Sequence, residues 1–167
     1  MSNLWDKLKL SSTSLVLGSV RIIIKLSKDK SDLFKKVVEK VKAPLITLMS
    51  SNETTGSFET AFIILQHIEY VIRNMGGKSF YEKDFKYFYC KIDEPTYVKS
   101  IKVKILGMLA NEFNLGDMLN ELNEYAISND VTMARKSVQV LADIALSLPE
   151  VSKALMVNLI SFYKSNK

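Results

Sequence analysis

Cys90 is the chain's one cysteine, with Lys91 beside it and the acids Asp93 and Glu94 close behind. A lysine can stabilise a thiolate, and neighbouring carboxylates can move protons, so these residue types could in principle support thiol chemistry. A nucleophilic thiol also needs a positioned base. The only histidine, His67, lies 23 residues earlier on what reads as a different helix. Without a base, Cys90 is expected to be a small buried hydrophobe closing an aromatic helix. Asp93-Glu94 is expected to cap the helix that follows. His67 reads as a partly buried packing residue. The stretch "NMGGKSF" (74–80) superficially suggests a phosphate loop, but Ile72 stands where that loop needs glycine, and no strand precedes it. Gly76 and Gly77 instead suit the end of a helix reaching Arg73 or Asn74. One cysteine and one histidine exclude a multi-cysteine zinc site and a catalytic triad. No catalytic residue, metal or cofactor is expected.

The lysines offer a second kind of chemistry. Lys35, Lys36, Lys40 and Lys42 crowd one helical stretch, and Lys99, Lys102 and Lys104 another. Lys35, Lys36, Lys99 and Lys102 form a candidate basic surface. A solvated helix face is its default explanation, with a lipid or nucleic-acid surface as the alternative. Aromatic residues do not interleave with these lysines, so no nucleic acid is expected.

What positions these residues is helical throughout. The chain has 167 residues, 47% of them hydrophobic and 25% charged, with a formal net charge of +5. That is a globular composition large enough for one cored domain, taken as 1–167. The opening "MSNLWDKLKLSSTS" carries charges where a secretory signal would be apolar, and no apolar run approaches the roughly 18 residues of a membrane span. Period-2 alternation is nearly absent. Apolar periodicity predicts helices near 12–27, 31–42, 44–50, 57–73, 79–90, 95–112, 115–128, 130–147 and 149–164. Asp130 suits an N-cap, and Pro95 suits a first turn. In 131–148 the apolar face is expected to be Val131, Ala134, Val138, Leu141, Ala142 and Ala145, with Val140 and Ile144 on a second flank.

Similar helices recur. The triplets Val20-x-Ile22-Ile23, Ile68-x-Tyr70-Val71, Val103-x-Ile105-Leu106 and Val138-x-Val140-Leu141 start 48, 35 and 35 residues apart. Six residues beyond each start stand Leu26, Asn74, Leu109 and Ile144. Helix pairs at this period point to an all-α, HEAT/armadillo-like helical solenoid of about four helical-hairpin repeats. One hairpin cannot bury its apolar face alone, and stacking on the next one does. A plain helical bundle is the competing architecture.

The stretch from Lys86 to Ala145, "KYFYCKIDEPTYVKSIKVKILGMLANEFNLGDMLNELNEYAISNDVTMARKSVQVLADIA", resembles the trunk of beta-adaptins, the beta-type large subunits of clathrin-associated adaptor complexes. The resemblance rests on an aromatic-rich short helix, an acidic-Pro-x-Tyr-Val-Lys joint (Asp93 to Lys99), a Glu-Leu-x-Glu-Tyr-Ala stretch (Glu121 to Ala126) and an Asp-Val-x-x-x-Arg-Lys helix start (Asp130 to Lys136). "SLVLGSVRIIIKL" (14–26) and "KAPLITLMS" (42–50) are similar to upstream trunk segments. Segment 28–42 and "NMGGKSFYEKD" depart from the pattern. The chain is much shorter than a complete large subunit and corresponds to the middle of the trunk.

The resemblance implies a non-enzymatic scaffold in vesicle-mediated protein transport. Its implied partners are a second large subunit, a medium subunit and a small subunit. Clathrin would bind through regions absent from this stretch, and membrane association would be peripheral, on cytoplasmic coated vesicles. It also implies that the trunk lies against the medium subunit's pocket for tyrosine-based sorting signals. Met118 is the candidate plug there, with Leu119 and Leu122 as neighbours. The competing classes are a peptide-gripping scaffold of the nuclear-transport or phosphatase type and a basic nucleic-acid-binding solenoid.

Overall fold

A computed structural model describes residues 13–27, 31–74, 76–149, 152–153, 155–157 and 160. Among them all regular structure is helical: α1 (Thr13–Ser27), α2 (Ser31–Thr54), α3 (Phe58–Asn74), α4 (Lys78–Tyr81), a 3-10 segment (Glu82–Phe88), α5 (Thr96–Leu109), α6 (Leu115–Ala126) and α7 (Val131–Ser147). The chain divides into two compact units, Met1–Lys83 and Asp84–Lys167. The all-α expectation holds. The triplets at 20, 68, 103 and 138 fall on α1, α3, α5 and α7, two in each unit.

In the first unit α2 packs on both α1 and α3, and α4 sits against α2 and α3. The expected break before Pro44 does not occur. One continuous helix runs from Ser31 to Thr54, with Pro44 inside it. The reason is a buried stripe passing straight through the proline: Val37, Val41, Leu45 and Met49 are each at most 2% exposed. An interior proline costs about 3 kcal/mol. Each fully buried Val, Leu or Met side chain contributes about 1.5–3 kcal/mol, so the stripe outweighs the break.

Glycines end the helices here. Gly56, at φ +76°, closes α2, with its own N–H donating to Glu53 O and the Ser57 N–H donating to Asn52 O at 2.8 Å. That pairing satisfies carbonyls the last turn would otherwise leave open. Gly76, at φ +64°, takes the left-handed conformation after α3 that the sequence predicts, and the following Gly77 N–H donates to Val71 O at 3.2 Å. Gly77 differs: its φ is −71°, and what it provides is space. A Cβ there would stand 2.7 Å from Val71 Cγ1 and 2.8 Å from Val71 O.

In the second unit α7 packs on both α5 and α6. Its buried residues are Met133, Ser137, Val140, Leu141, Ile144 and Ala145. Leu141 and Ala145 are buried as expected, but Val131 is 69% exposed and Val138 37%, so the packed face is shifted toward the flank holding Val140 and Ile144. Spacings of 4, 3 and 4 from Met133 through Ser137 and Val140 to Ile144 form a true helical stripe once a small polar residue is admitted to it. The aromatic segment also departs from a single helix at 79–90. It is the short α4 followed by a 3-10 stretch, broken at Asp84 (φ −103°, ψ 16°). Burial of Tyr81, Phe85 and Phe88 fixes it in place of helix length.

Gly107 on α5 lies against Val140 of α7. A Cβ there would lie 2.5 Å from Val140 Cγ1. Valine is stiff about χ1 and cannot swing aside cheaply. Gly107→Ala is therefore expected to destabilise the protein by about 1–3 kcal/mol through overpacking. Urea unfolding checks this, and Gly107→Ala combined with Val140→Ala should recover part of the loss.

Candidate interaction surface and the joint before α5

The turn that joins the aromatic segment to α5 is organised by a buried ion pair. Lys102 Nζ lies 2.5 Å from Glu94 Oε1, and both side chains are 0% exposed. Lys102 Nζ also donates to Tyr89 O at 3.4 Å, and Glu94 Oε2 accepts the Lys91 N–H at 3.1 Å. One carboxylate thus closes the 91–94 turn and neutralises a lysine from the second turn of α5.

Two further links tie this turn to the rest of its unit. The Cys90 N–H donates to the Tyr125 hydroxyl at 2.7 Å, and that hydroxyl donates to the Glu121 carboxylate. Burial, with the Cys90 thiol and the Glu121 carboxylate beside it, pushes the Tyr125 phenol well above its ordinary range. Asp130 caps α7: its Oδ1 accepts from the Thr132 and Met133 N–H groups, and its Oδ2 accepts from the Thr96 hydroxyl at 2.8 Å. Helices α5 and α7 therefore start side by side. The Thr96 hydroxyl and then the Met133 N–H hold the Asp130 carboxyl below its ordinary value. Its contribution is full above the unfolded-state pKa and is lost as pH falls through the depressed folded value.

The expected cap of α5 is corrected. Pro95 occupies the N-cap position with no side-chain cap, and Glu94 turns inward to Lys102 instead. Burial pushes the Cys90 thiol up to about 12, against the opposing pull of Lys102. At neutral pH the group is a thiol, donating to Lys99 O at 3.7 Å. Cys90 is expected to resist alkylation by iodoacetamide in the folded protein at pH 8 and to react promptly in urea. Fast native labelling would contradict this environment. For His67, burial and then Arg21 depress the imidazole's pKa. Among the described residues no three His, Cys, Asp or Glu side chains gather as a metal site.

The candidate surface residues separate. Lys35 and Lys36 are exposed on α2. Lys99 is half-buried and donates to Ile92 O at 2.9 Å. Lys102 leaves the proposed basic surface altogether, because it is the buried partner of Glu94. Of the α6 trio, Met118 and Leu122 are wholly buried and Leu119 is half-buried. Met118, the candidate plug, faces its own unit's core in this structure. The residues that sequence reading missed are Glu94 as an ion-pair partner and Tyr125 as a bridge. Lys102 carried a signal, since it occupies the centre of the stripe Val98, Lys102, Ile105, Leu109.

Residues 1–167 match the family described as the adaptin N terminal region. The chain is 34% identical over 167 residues to a beta-adaptin-like protein A of Arabidopsis thaliana, covering 100% of this chain and 19% of that protein. It is 33% identical over 144 residues to an AP-4 complex subunit beta of Dictyostelium discoideum, covering 84% and 17%. It is 30% identical over 141 residues to an AP-2 complex subunit beta of Schizosaccharomyces pombe, covering 83% and 20%. The chain thus spans about a fifth of the length of these relatives.

Proposed function

The chain belongs to the adaptin N-terminal-region family, and from that premise we propose that it serves as a stretch of the helical scaffold of a beta-type adaptor subunit. The observation that carries this reading is the family match along all of residues 1–167, together with relatives named as beta subunits of adaptor complexes. The role is structural and non-enzymatic. Its partners are a second large subunit, a medium subunit and a small subunit, in a coat that associates peripherally with transport vesicles. The buried joint supports such a role, because side chains that could do chemistry are committed to holding helices together.

The finer reading places the medium subunit against α6. With Met118 and Leu122 in the core, Leu119 is the member of the trio with surface to offer. Size-exclusion chromatography of an extract from the protein's own cells tests the scaffold reading: the protein should elute in a hetero-oligomer well above its own mass. Elution at its own mass would overturn it. For the α6 contact, Leu119→Asp should reduce co-isolation of the medium subunit while the melting temperature holds. Unchanged recovery would remove that contact from the proposal.

A further inference from the structure

Helices α5 and α7 run side by side in the same direction. Thr96 meets Asp130 at their starts, and Gly107 meets Val140 further along, 11 residues on in α5 and 10 in α7. Both helices therefore finish at the same end of the second unit, where the turn from α5 into α6 also lies. Two large apolar side chains stand bare at that end: Phe113 in the turn is 98% exposed, and Leu146 in the last turn of α7 is 83% exposed. Side-chain hydrogen bonds fix the Phe113 turn. Asn111 Oδ1 accepts from the N–H groups of Phe113 at 3.0 Å and Asn114 at 3.1 Å, and Asn114 Oδ1 accepts from the Asn111 N–H at 2.9 Å. Asn114 is itself buried and donates through Nδ2 to Leu109 O at 3.1 Å. A phenyl ring held out by a turn fixed in this way loses little conformational entropy when a partner covers it.

The same end is electronegative. Neither α5 nor α7 has a basic residue in its last turn, so no cation there offsets the partial negative charges of two helix C-termini. Glu112 and Asp143 add exposed carboxylates. Lys86, which reaches the first turn of α6, is already paired with Asp117 at 2.9 Å. Along the sequence, residues 105–134 and 137–152 hold seven acids and no lysine or arginine, in a chain whose net charge is +5. We infer that this end of the second unit docks a partner protein through a basic segment that also carries large apolar side chains. The occupant follows from the chemistry of the end. An anionic lipid surface or a nucleic acid would bring like charge against the carboxylates and the helix C-termini. A further apolar helix layer would cover Phe113 and Leu146 but would take Glu112 and Asp143 out of water unpaired. A segment mixing Lys or Arg with aliphatic or aromatic residues meets both demands, with its cations against the acids and its apolar side chains on Phe113 and Leu146. The surface lies wholly in the second unit and its test uses no adaptor subunit, so it stands or falls apart from the adaptor-subunit reading.

Fluorescence anisotropy of the 167-residue protein with a fluorescein-labelled amphipathic peptide of leucine and lysine tests it. The peptide should bind saturably and more weakly as salt rises. A matching leucine–glutamate peptide and a serine–lysine peptide should bind far less. Phe113→Ser should weaken binding of the leucine–lysine peptide by about 30-fold, the loss of an aromatic anchor at an interface. Glu112→Gln combined with Asp143→Asn should weaken it too and flatten its salt dependence. Ile127→Ser, which removes a 68% exposed side chain at the opposite end of the unit, should leave it unchanged. All four positions are exposed, and circular dichroism verifies that the helices persist. An unchanged affinity for Phe113→Ser would overturn the inference, as would an equal loss for Ile127→Ser or equal binding of the leucine–glutamate peptide.

Discussion

Glu94→Gln is expected to destabilise the protein by about 3–5 kcal/mol, because it strands the Lys102 ammonium in a fully buried site. The glutamine keeps the size of the side chain and can still accept from the Lys91 N–H, so the change isolates the lost charge. Surface ion pairs contribute about 0–1 kcal/mol, and this pair differs because water reaches neither partner. Lys102→Met alone should cost less, since Glu94 retains the Lys91 N–H. The double variant Glu94→Gln/Lys102→Met should recover most of the loss, because a methionine suits the apolar stripe of α5 and no unpaired charge remains. Urea unfolding followed by circular dichroism gives the comparison, with the midpoint moving and the slope constant. A Glu94→Gln variant within about 1 kcal/mol of the parent would show that the pair is solvated like a surface one.

Met118→Asp is expected to be at least as damaging. Met118 is 0% exposed on α6, the helix that α7 packs against. Truncating such a methionine to alanine costs about 2–5 kcal/mol, and an aspartate adds the desolvation of a charge. The protein should lose its cooperative thermal transition or show it far below that of the parent. Leu119→Asp, one residue on and half-buried, should leave the transition nearly in place. The contrast matters for function. A partner-facing Met118 would tolerate aspartate and lose only affinity, whereas a core Met118 loses the fold itself. A stable Met118→Asp protein would return this residue to the candidate contact surface.

Much of this was legible in the sequence, for identifiable reasons. The 3.6-residue periodicity located most helices, because burial of one stripe leaves a regular trace. Gly76 announced a left-handed helix end, and Asp130 announced a cap. What stayed hidden depends on partners distant along the chain. Lys102 looked solvated because lysines usually are, and its acid lies eight residues earlier, outside the spacing at which helical pairs meet. The Cys90–Tyr125 link spans 35 residues and has no local signature. Periodicity divides α2 into 31–42 and 44–50, because the buried stripe that carries one helix through Pro44 outweighs local propensity. On α7 the shift of the packed face stayed hidden because Ser137 interrupts its apolar pattern, although the side chain is wholly buried. The Pro149–Glu150 helix start lies partly outside the described residues.

The composition of the native complex is the most direct test of the scaffold role. The protein would be isolated from its own cells under gentle conditions, and every co-purifying chain identified by mass spectrometry. The expected result is a stable set with a second large subunit, a medium subunit and a small subunit in equal amounts. Recovery with nucleic acid, with transport cargo, or with no adaptor subunit at all would contradict it.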